Sequence, residues 1–237
     1  MLAQIIAVAI INRKEQNMEI DEPIGKLPYW DKLTGNEQDL LRNHAFIRSF
    51  TKNELISSCD TSCLGMIMLL KGQVRVYIVS EDGREITLFR LNKGEYCVTT
   101  ASCVIQQLTF DTVIAAEDNT EMLVVPSSLF HKLAEENIYV KASMFELLTE
   151  RFSSVMWVMQ QVLFKRFDQR LAEFFVSYYE KNGTKEIRMT QEEIAANVNS
   201  AREVVARMLK QFASDGMISV QRGKIVLNDI EALRDLI

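Results

Sequence analysis

Only two histidines, His44 and His131, occur in the 237 residues, and they fall in different regions of the chain. A metal-dependent barrel enzyme usually gathers several histidine ligands, so that chemistry has no donor set here. No Gly-rich phosphate loop, G-x-S-x-G elbow or H-E-x-x-H stretch is present either. Their absence removes the commonest nucleotide-binding, acyl-transfer and metallohydrolase signatures, and no enzyme is expected. The four cysteines, Cys59, Cys63, Cys97 and Cys103, have no disulfide-framework spacing. The apolar opening from Met1 to Ile11 lacks the basic start and small-residue cleavage site of an export signal and is too short to cross a bilayer. A reducing, cytoplasmic setting with no membrane partner is therefore expected. Met18 begins a polar segment, so residues 1–17 read either as an over-extended start or as an arm.

What is present fits two ordinary globular domains. Hydrophobic residues make up 48% and charged residues 25% of the chain, enough apolar mass for a core in each part. The net charge of -5 speaks against a protein coated in nucleic acid, yet the sign is not uniform. Between Arg188 and Lys224 six basic residues stand against four acidic ones, so the C-terminal part is locally positive.

Along the chain, Leu33, Leu40 and Leu41 predict a short amphipathic helix over 31–44. The run QVRVYIV puts Val74, Val76 and Ile78 on one face. Glu81-Asp82-Gly83 then offers a turn, and EITLFRL resumes with Ile86 and Leu88, which predicts a hairpin. Further β-like runs at Thr112 to Ala116 and Glu121 to Val125 suggest a barrel or sandwich of short strands. After Pro126 the period changes. Phe145, Leu148, Phe152, Val155, Met159 and Val162 are spaced 3, 4, 3, 4, 3, the pattern of a coiled-coil seam. A helix packed only on its own domain would show a similar stripe. A second helix over Asp168 to Tyr179 ends at Asn182-Gly183, and the domain boundary is expected near Phe164 to Asp168.

Thr190-Gln191-Glu192-Glu193 is a capping box, in which the Thr hydroxyl accepts from the third helical N–H and the Glu reaches back. Ile194, Ala195 and Val198 form the buried face of that helix, and Ser200-x-x-Glu203 offers a second box. Two short helices so close together predict a helix-turn-helix. On the second helix Val205, Met208, Leu209 and Phe212 face inward, leaving Arg202, Glu203, Ala206, Arg207 and Lys210 outward. Arginine can bind guanine O6 and N7 bidentately and glutamate can accept from cytosine N4, so this face has the chemistry of base readout. Glu203 and Arg207, four apart, could instead pair with each other in solvent. Met217 to Val220 and Ile225 to Leu227, joined by Gln221-Arg222-Gly223-Lys224, read as a wing with cations at its tip.

The order of parts, with the segments KLTGNEQDLL, MLLKGQVRVYIVSEDGREITLFRLNKGE and MTQEEIAANVNSAREVVARMLKQFASDGMISVQRGKIVL, resembles the Crp/Fnr family over roughly Leu33 to Asn228. The resemblance implies an α+β chain. It would hold an N-terminal double-stranded β-helix (jelly-roll) sensor over 31–136 after an extension over 1–30, a dimerisation helix over 137–164, and a winged helix-turn-helix over 165–237. It also implies base reading by Arg202, Glu203 and Arg207, and phosphate contacts by Thr190, Arg222 and Lys224, with Ser200 and Lys210 completing the DNA-facing set. Ala201 stands where many members carry a hydroxyl, which implies one phosphate contact fewer. The implied partners are duplex DNA with inverted TGTGA-type half-sites, a second copy of the chain and, for an activator, RNA polymerase.

Where cyclic-nucleotide members carry Gly-Glu and Arg-Ser or Arg-Thr pairs, this chain reads Cys97-Val98-Thr99-Thr100 and Thr109-Phe110-Asp111-Thr112. No arginine lies between Arg90 and Arg151, so a cyclic phosphate is expected to meet no guanidinium, and no cyclic AMP response is expected. Iron-sulfur members carry clustered cysteines in an N-terminal extension, whereas residues 1–57 have none, so that cluster is not expected. The fold itself requires no cofactor. Two readings of Cys59, Cys63, Cys97 and Cys103 stand side by side: small buried hydrophobes, or a thiol or metal switch across the barrel. The alternative to a DNA regulator is a cyclic-nucleotide-fold module acting on a protein partner, which would have no need of the recognition helix.

Overall fold

The computed structural model describes residues 20–57, 64–81, 83–98 and 112–237. The chain divides into two units. One contains the residues through Val76 together with Phe89–Phe152, and the other contains Tyr77–Leu88 together with Ser153–Ile237.

Two four-stranded sheets fill the first unit, apart from their strand residues within 77–88, which belong to the second. The strands are β1 (Phe46–Phe50), β2 (Leu55–Ser57), β3 (Met66–Lys71), β4 (Gln73–Val79), β5 (Glu85–Asn92), β6 (Tyr96–Val98), β7 (Val113–Ala116) and β8 (Thr120–Val125). One sheet runs β1-β8-β3-β6 and the other β2-β7-β4-β5, the interleaved order of a jelly roll. Ile67 pairs with Val124 of β8 and Cys97 of β6, so the centre of the first sheet is β3. Phe50, Ile67, Leu69, Val74, Leu91 and Met122 belong to one buried cluster. Met66, Met68, Leu123 and Val125 belong to another, shared with helical residues. β3 is thus covered on both faces, which is why it shows an unbroken apolar run and no alternation. At the β3–β4 turn Gly72 has φ +82, and a Cβ there would stand 2.7 Å from the Asn119 carbonyl oxygen, so only glycine fits.

The helical cover of that sheet is α1 (Gly35–His44), α2 (Ser127–Glu136) and the first half of α3 (Ile138–Phe164). The helix expected over 31–44 begins at Thr34, whose hydroxyl accepts from the Glu37 N–H while Glu37 accepts in return. A separate single turn covers Trp30–Lys32. The segment read as an extension over 1–30 is integral where it is described: Ile20, Ile24, Leu27 and Tyr29 pack into the core with Leu41 and Leu133.

Along α3, Val140, Ser143 and Leu147 are buried against the first unit. The heptad residues Phe145, Phe152 and Met159 lie on a different stripe and are exposed, and Leu148, Val155 and Val162 are half-buried. Trp157, Leu163 and Phe164 are exposed as well. The reading of the seam as packing on its own domain does not describe those exposed side chains.

The second unit holds α4 (Phe167–Asn182), β9 (Glu186–Ile187), α5 (Gln191–Asn197), α6 (Arg202–Ser214), β10 (Ile218–Gln221), β11 (Lys224–Leu227) and α7 (Ile230–Arg234). α4 ends at Gly183 in the left-handed conformation, φ 66, as Asn182-Gly183 predicts. One core joins Leu171 and Phe175 of α4 to Ile194, Leu209, Phe212, Ile225 and Leu233.

Candidate nucleic-acid interface

The first helix of the pair is set by chemistry within four residues. Thr190 caps α5, its hydroxyl accepting from the Glu193 N–H at 3.1 Å while Glu193 accepts the Thr190 N–H at 2.7 Å. The second predicted box does not form. α6 begins at Arg202 with Ala201 as its cap residue and no side-chain capping bond, so Ser200 lies one position too early. The cause is the turn: Asn199 takes φ 51, and the Ser200 N–H is spent on the Ala195 carbonyl at 3.0 Å. Asn199 tolerates the left-handed region better than most residues. Its side chain also accepts the Thr87 N–H at 2.8 Å, and the Thr87 hydroxyl donates to the Ala196 carbonyl at 2.9 Å. Thr87 is buried by these contacts.

On α6, Val205, Leu209 and Phe212 are buried and Met208 packs at the margin of the core. Arg202, Glu203, Arg207 and Lys210 are exposed, so the helix presents the charged face that its spacing predicts. Glu203 and Arg207 do not form an ion pair with each other. Arg207 and Lys210 make no ion pair among the described residues, leaving their donors available to bases or phosphates. Among the described residues Arg202 has one charged partner, Glu192 of α5, whose Oε1 stands 2.9 Å from its Nε.

The wing is an antiparallel pair, Ile218 opposite Leu227 through Gln221 opposite Lys224, with Arg222 and Gly223 alone at the tip. Arg222 is exposed there. Lys224 was expected at the tip with it, but it is already in β11 and turned back, its Nζ 2.7 Å from Oε1 of Glu186. Lys224 first, then Arg188, holds the Glu186 carboxyl below its ordinary value. Glu186 lies 38 residues from Lys224, too far for the sequence to signal the pair.

In the barrel, three of the four cysteines and the stretch Thr99 to Asp111 lie outside the described residues. Cys97 is buried on β6 as a free thiol. Burial pushes that thiol up to about 11, with the Arg151 guanidinium pulling the other way. Cys97 therefore behaves as a core residue. In native protein at pH 7.5, iodoacetamide is expected to leave Cys97 unmodified until the chain is unfolded, as peptide mass mapping would show; rapid native modification would restore it as a switch. The long helix brings a guanidinium to β6: Arg151 Nη2 donates to the Tyr96 carbonyl at 3.3 Å, and its guanidinium carbon lies 4.7 Å from the Phe89 ring centre. Spacing along the chain could not reveal this, because residue 151 is distant in sequence and adjacent in space.

Among the described residues no group of three metal-ligating side chains occurs, and no helix is long and apolar enough to cross a membrane.

Comparison with known proteins places these parts. The Crp-like helix-turn-helix domain matches residues 169–236, and the cyclic nucleotide-binding domain matches residues 47–137. The cAMP-activated global transcriptional regulator Vfr of Pseudomonas aeruginosa is 21% identical over 210 residues, covering 85% of this chain and 94% of that protein. The transcriptional regulator SdrP of Thermus thermophilus is 27% identical over 176 residues, covering 71% and 81% respectively. A crystal structure from Eubacterium rectale, of a protein assigned as a transcriptional regulator of the Crp/Fnr family, superposes with a TM-score of 0.81 at 33% identity. It covers 90% of this chain and 98% of that one.

Proposed function

The chain belongs to the Crp/Fnr family of transcription regulators, and from that premise we propose that it works as a homodimer reading inverted-repeat DNA under a signal received by the barrel. The family regulates transcription and is not enzymatic. The observation that carries the DNA reading is the outward face of α6, where Arg202, Glu203, Arg207 and Lys210 are all exposed above a fully apolar inner face. Arg202, Glu203 and Arg207 take the base edges. Thr190, Ser200, Lys210 and Arg222 take phosphates, and Lys224 joins them only by releasing Glu186. The seam of Phe145, Leu148, Phe152, Val155, Met159 and Val162 meets the same seam of a second copy, which supplies the cover those exposed side chains lack in one chain.

The signal in this reading is not cyclic AMP but a small molecule or a thiol change. The support is the Thr99-Thr100 and Asp111-Thr112 residues, which offer no basic group to a phosphate. Cyclic AMP is what the relative Vfr is named for. Control works by population shift between orientations of the two reading heads, and a swing from 1:99 to 99:1 takes roughly 5.5 kcal/mol of differential effector binding. The protein acts in the cytoplasm, where its DNA is, and touches RNA polymerase where it activates.

Selection from a randomised duplex pool tests the reading. The dimer is expected to enrich two inverted TGTGA-type half-sites centred about one helical turn apart, with affinity falling steeply as salt rises. Folded, dimeric protein that enriches no sequence, with or without reductant, would remove the base-reading assignment.

A further inference from the structure

We propose that Glu192 is a specificity-determining residue, its carboxylate pairing with the Arg202 guanidinium on the Nε side so that the range open to the arginine is narrowed before it meets a guanine. This rests on Arg202 reading a base.

Two consecutive glutamates of α5 do different things. Glu193 is consumed by the cap of α5, accepting the Thr190 N–H. Glu192 takes no part in that cap and reaches instead to Arg202, 2.9 Å from Oε1 to Nε. The backbones that carry Glu192 and Arg202 are set side by side, because Ile194, Ala195 and Val198 of the first helix share one buried core with Val205, Leu209 and Phe212 of the second. Both charged side chains are more than half exposed, at 59% and 61%, so the pair adds little to folding stability. Its consequence is for the arginine's freedom.

Guanidinium donors divide into a side fork and an end fork. The closest approach of Glu192 is to Nε and not to the terminal nitrogens, whose N–H groups form the planar fork that matches guanine O6 and N7. An unheld arginine at the first turn of a helix samples many rotamers, and ordering it on DNA costs affinity. Paired with Glu192, Arg202 arrives with fewer rotamers to lose. The same carboxylate stands close to where phosphates pass, so it also opposes sequence-independent binding. Both effects raise the ratio of specific to non-specific affinity.

The test is a double-mutant cycle on the full-length dimer, using the duplex recovered from the randomised pool and a second duplex with the conserved guanine of each half-site replaced. Wild type, Glu192→Gln, Arg202→Ala and the double variant are titrated at two salt concentrations. Glu192→Gln is expected to lower the affinity ratio of the two duplexes by about 5- to 10-fold, a fraction of one bidentate contact. It is also expected to strengthen binding to the replaced duplex, and to leave the ratio unchanged where Arg202 is already alanine. A ratio that Glu192→Gln does not move, or moves equally in the Arg202→Ala background, overturns the proposal while leaving the base-reading role of Arg202 intact. If Arg202→Ala alone leaves the ratio unaltered, the base-reading role itself falls and this inference with it. Unchanged circular dichroism and melting of Glu192→Gln exclude a folding effect.

Discussion

Arg202→Ala is expected to erase discrimination between the selected duplex and a scrambled one while leaving the protein folded. One bidentate guanine contact is worth about 1 to 3 kcal/mol, and a dimer on two half-sites loses it twice, so the specific complex weakens by about 2 to 6 kcal/mol. The structural cost is small because the side chain is exposed and its one ion pair, with Glu192, is a surface pair. Titration of both duplexes alongside a melting curve separates the two effects. Were Arg202 a phosphate ligand, the variant would instead lose affinity on both duplexes alike and flatten the salt dependence by about one charge per half-site, about two for the whole complex. That outcome would move base reading to Glu203 and Arg207.

Phe152→Glu is expected to convert the proposed dimer to monomer. Phe152 is 66% exposed in a single chain and sits in the middle of the six-residue seam, so its replacement disturbs little within the chain and much between two copies. Two seams brought together would then bury a pair of like charges without partners, at a cost of several kcal/mol per ion. Loss of the second reading head removes the avidity of a two-site complex, so binding to the inverted repeat should fall by about 10² to 10⁴ with half-site binding retained. Sedimentation velocity on wild type and variant, with titration of full and half-site duplexes, measures both. A variant that still sediments as the wild-type dimer would place the dimer contact elsewhere, with Trp157, Leu163 and Phe164 as the next exposed apolar candidates on the same helix.

The C-terminal reading head was legible almost residue by residue. The Thr190 cap, the glycine stop of α4 at Gly183 and the wing turn at Arg222-Gly223 are each specified within a few residues by hydrogen-bond chemistry or backbone freedom. The amphipathic split of α6 follows from a 3.6-residue period over thirteen residues. Such local determinants survive without knowledge of the fold. The two-sided burial of β3 hid that strand, because alternation is lost when both faces are covered. Thr87 read as an ordinary residue of a hairpin until its bonds to Asn199 and Ala196 placed it at the helix-turn-helix turn. The same holds for Lys224 on Glu186, Arg151 beside Cys97, and the 20–30 segment packed into the barrel core. Each is a pairing of residues far apart along the chain, and no local pattern encodes which distant group a charge or an apolar side chain will meet. By itself, then, the sequence determined the kinds of element, the family and the charged reading face. Only the packed structure decided which of those charges are already engaged, Arg202 by Glu192 and Lys224 by Glu186, and which, like Arg207 and Lys210, have no charged partner among the described residues.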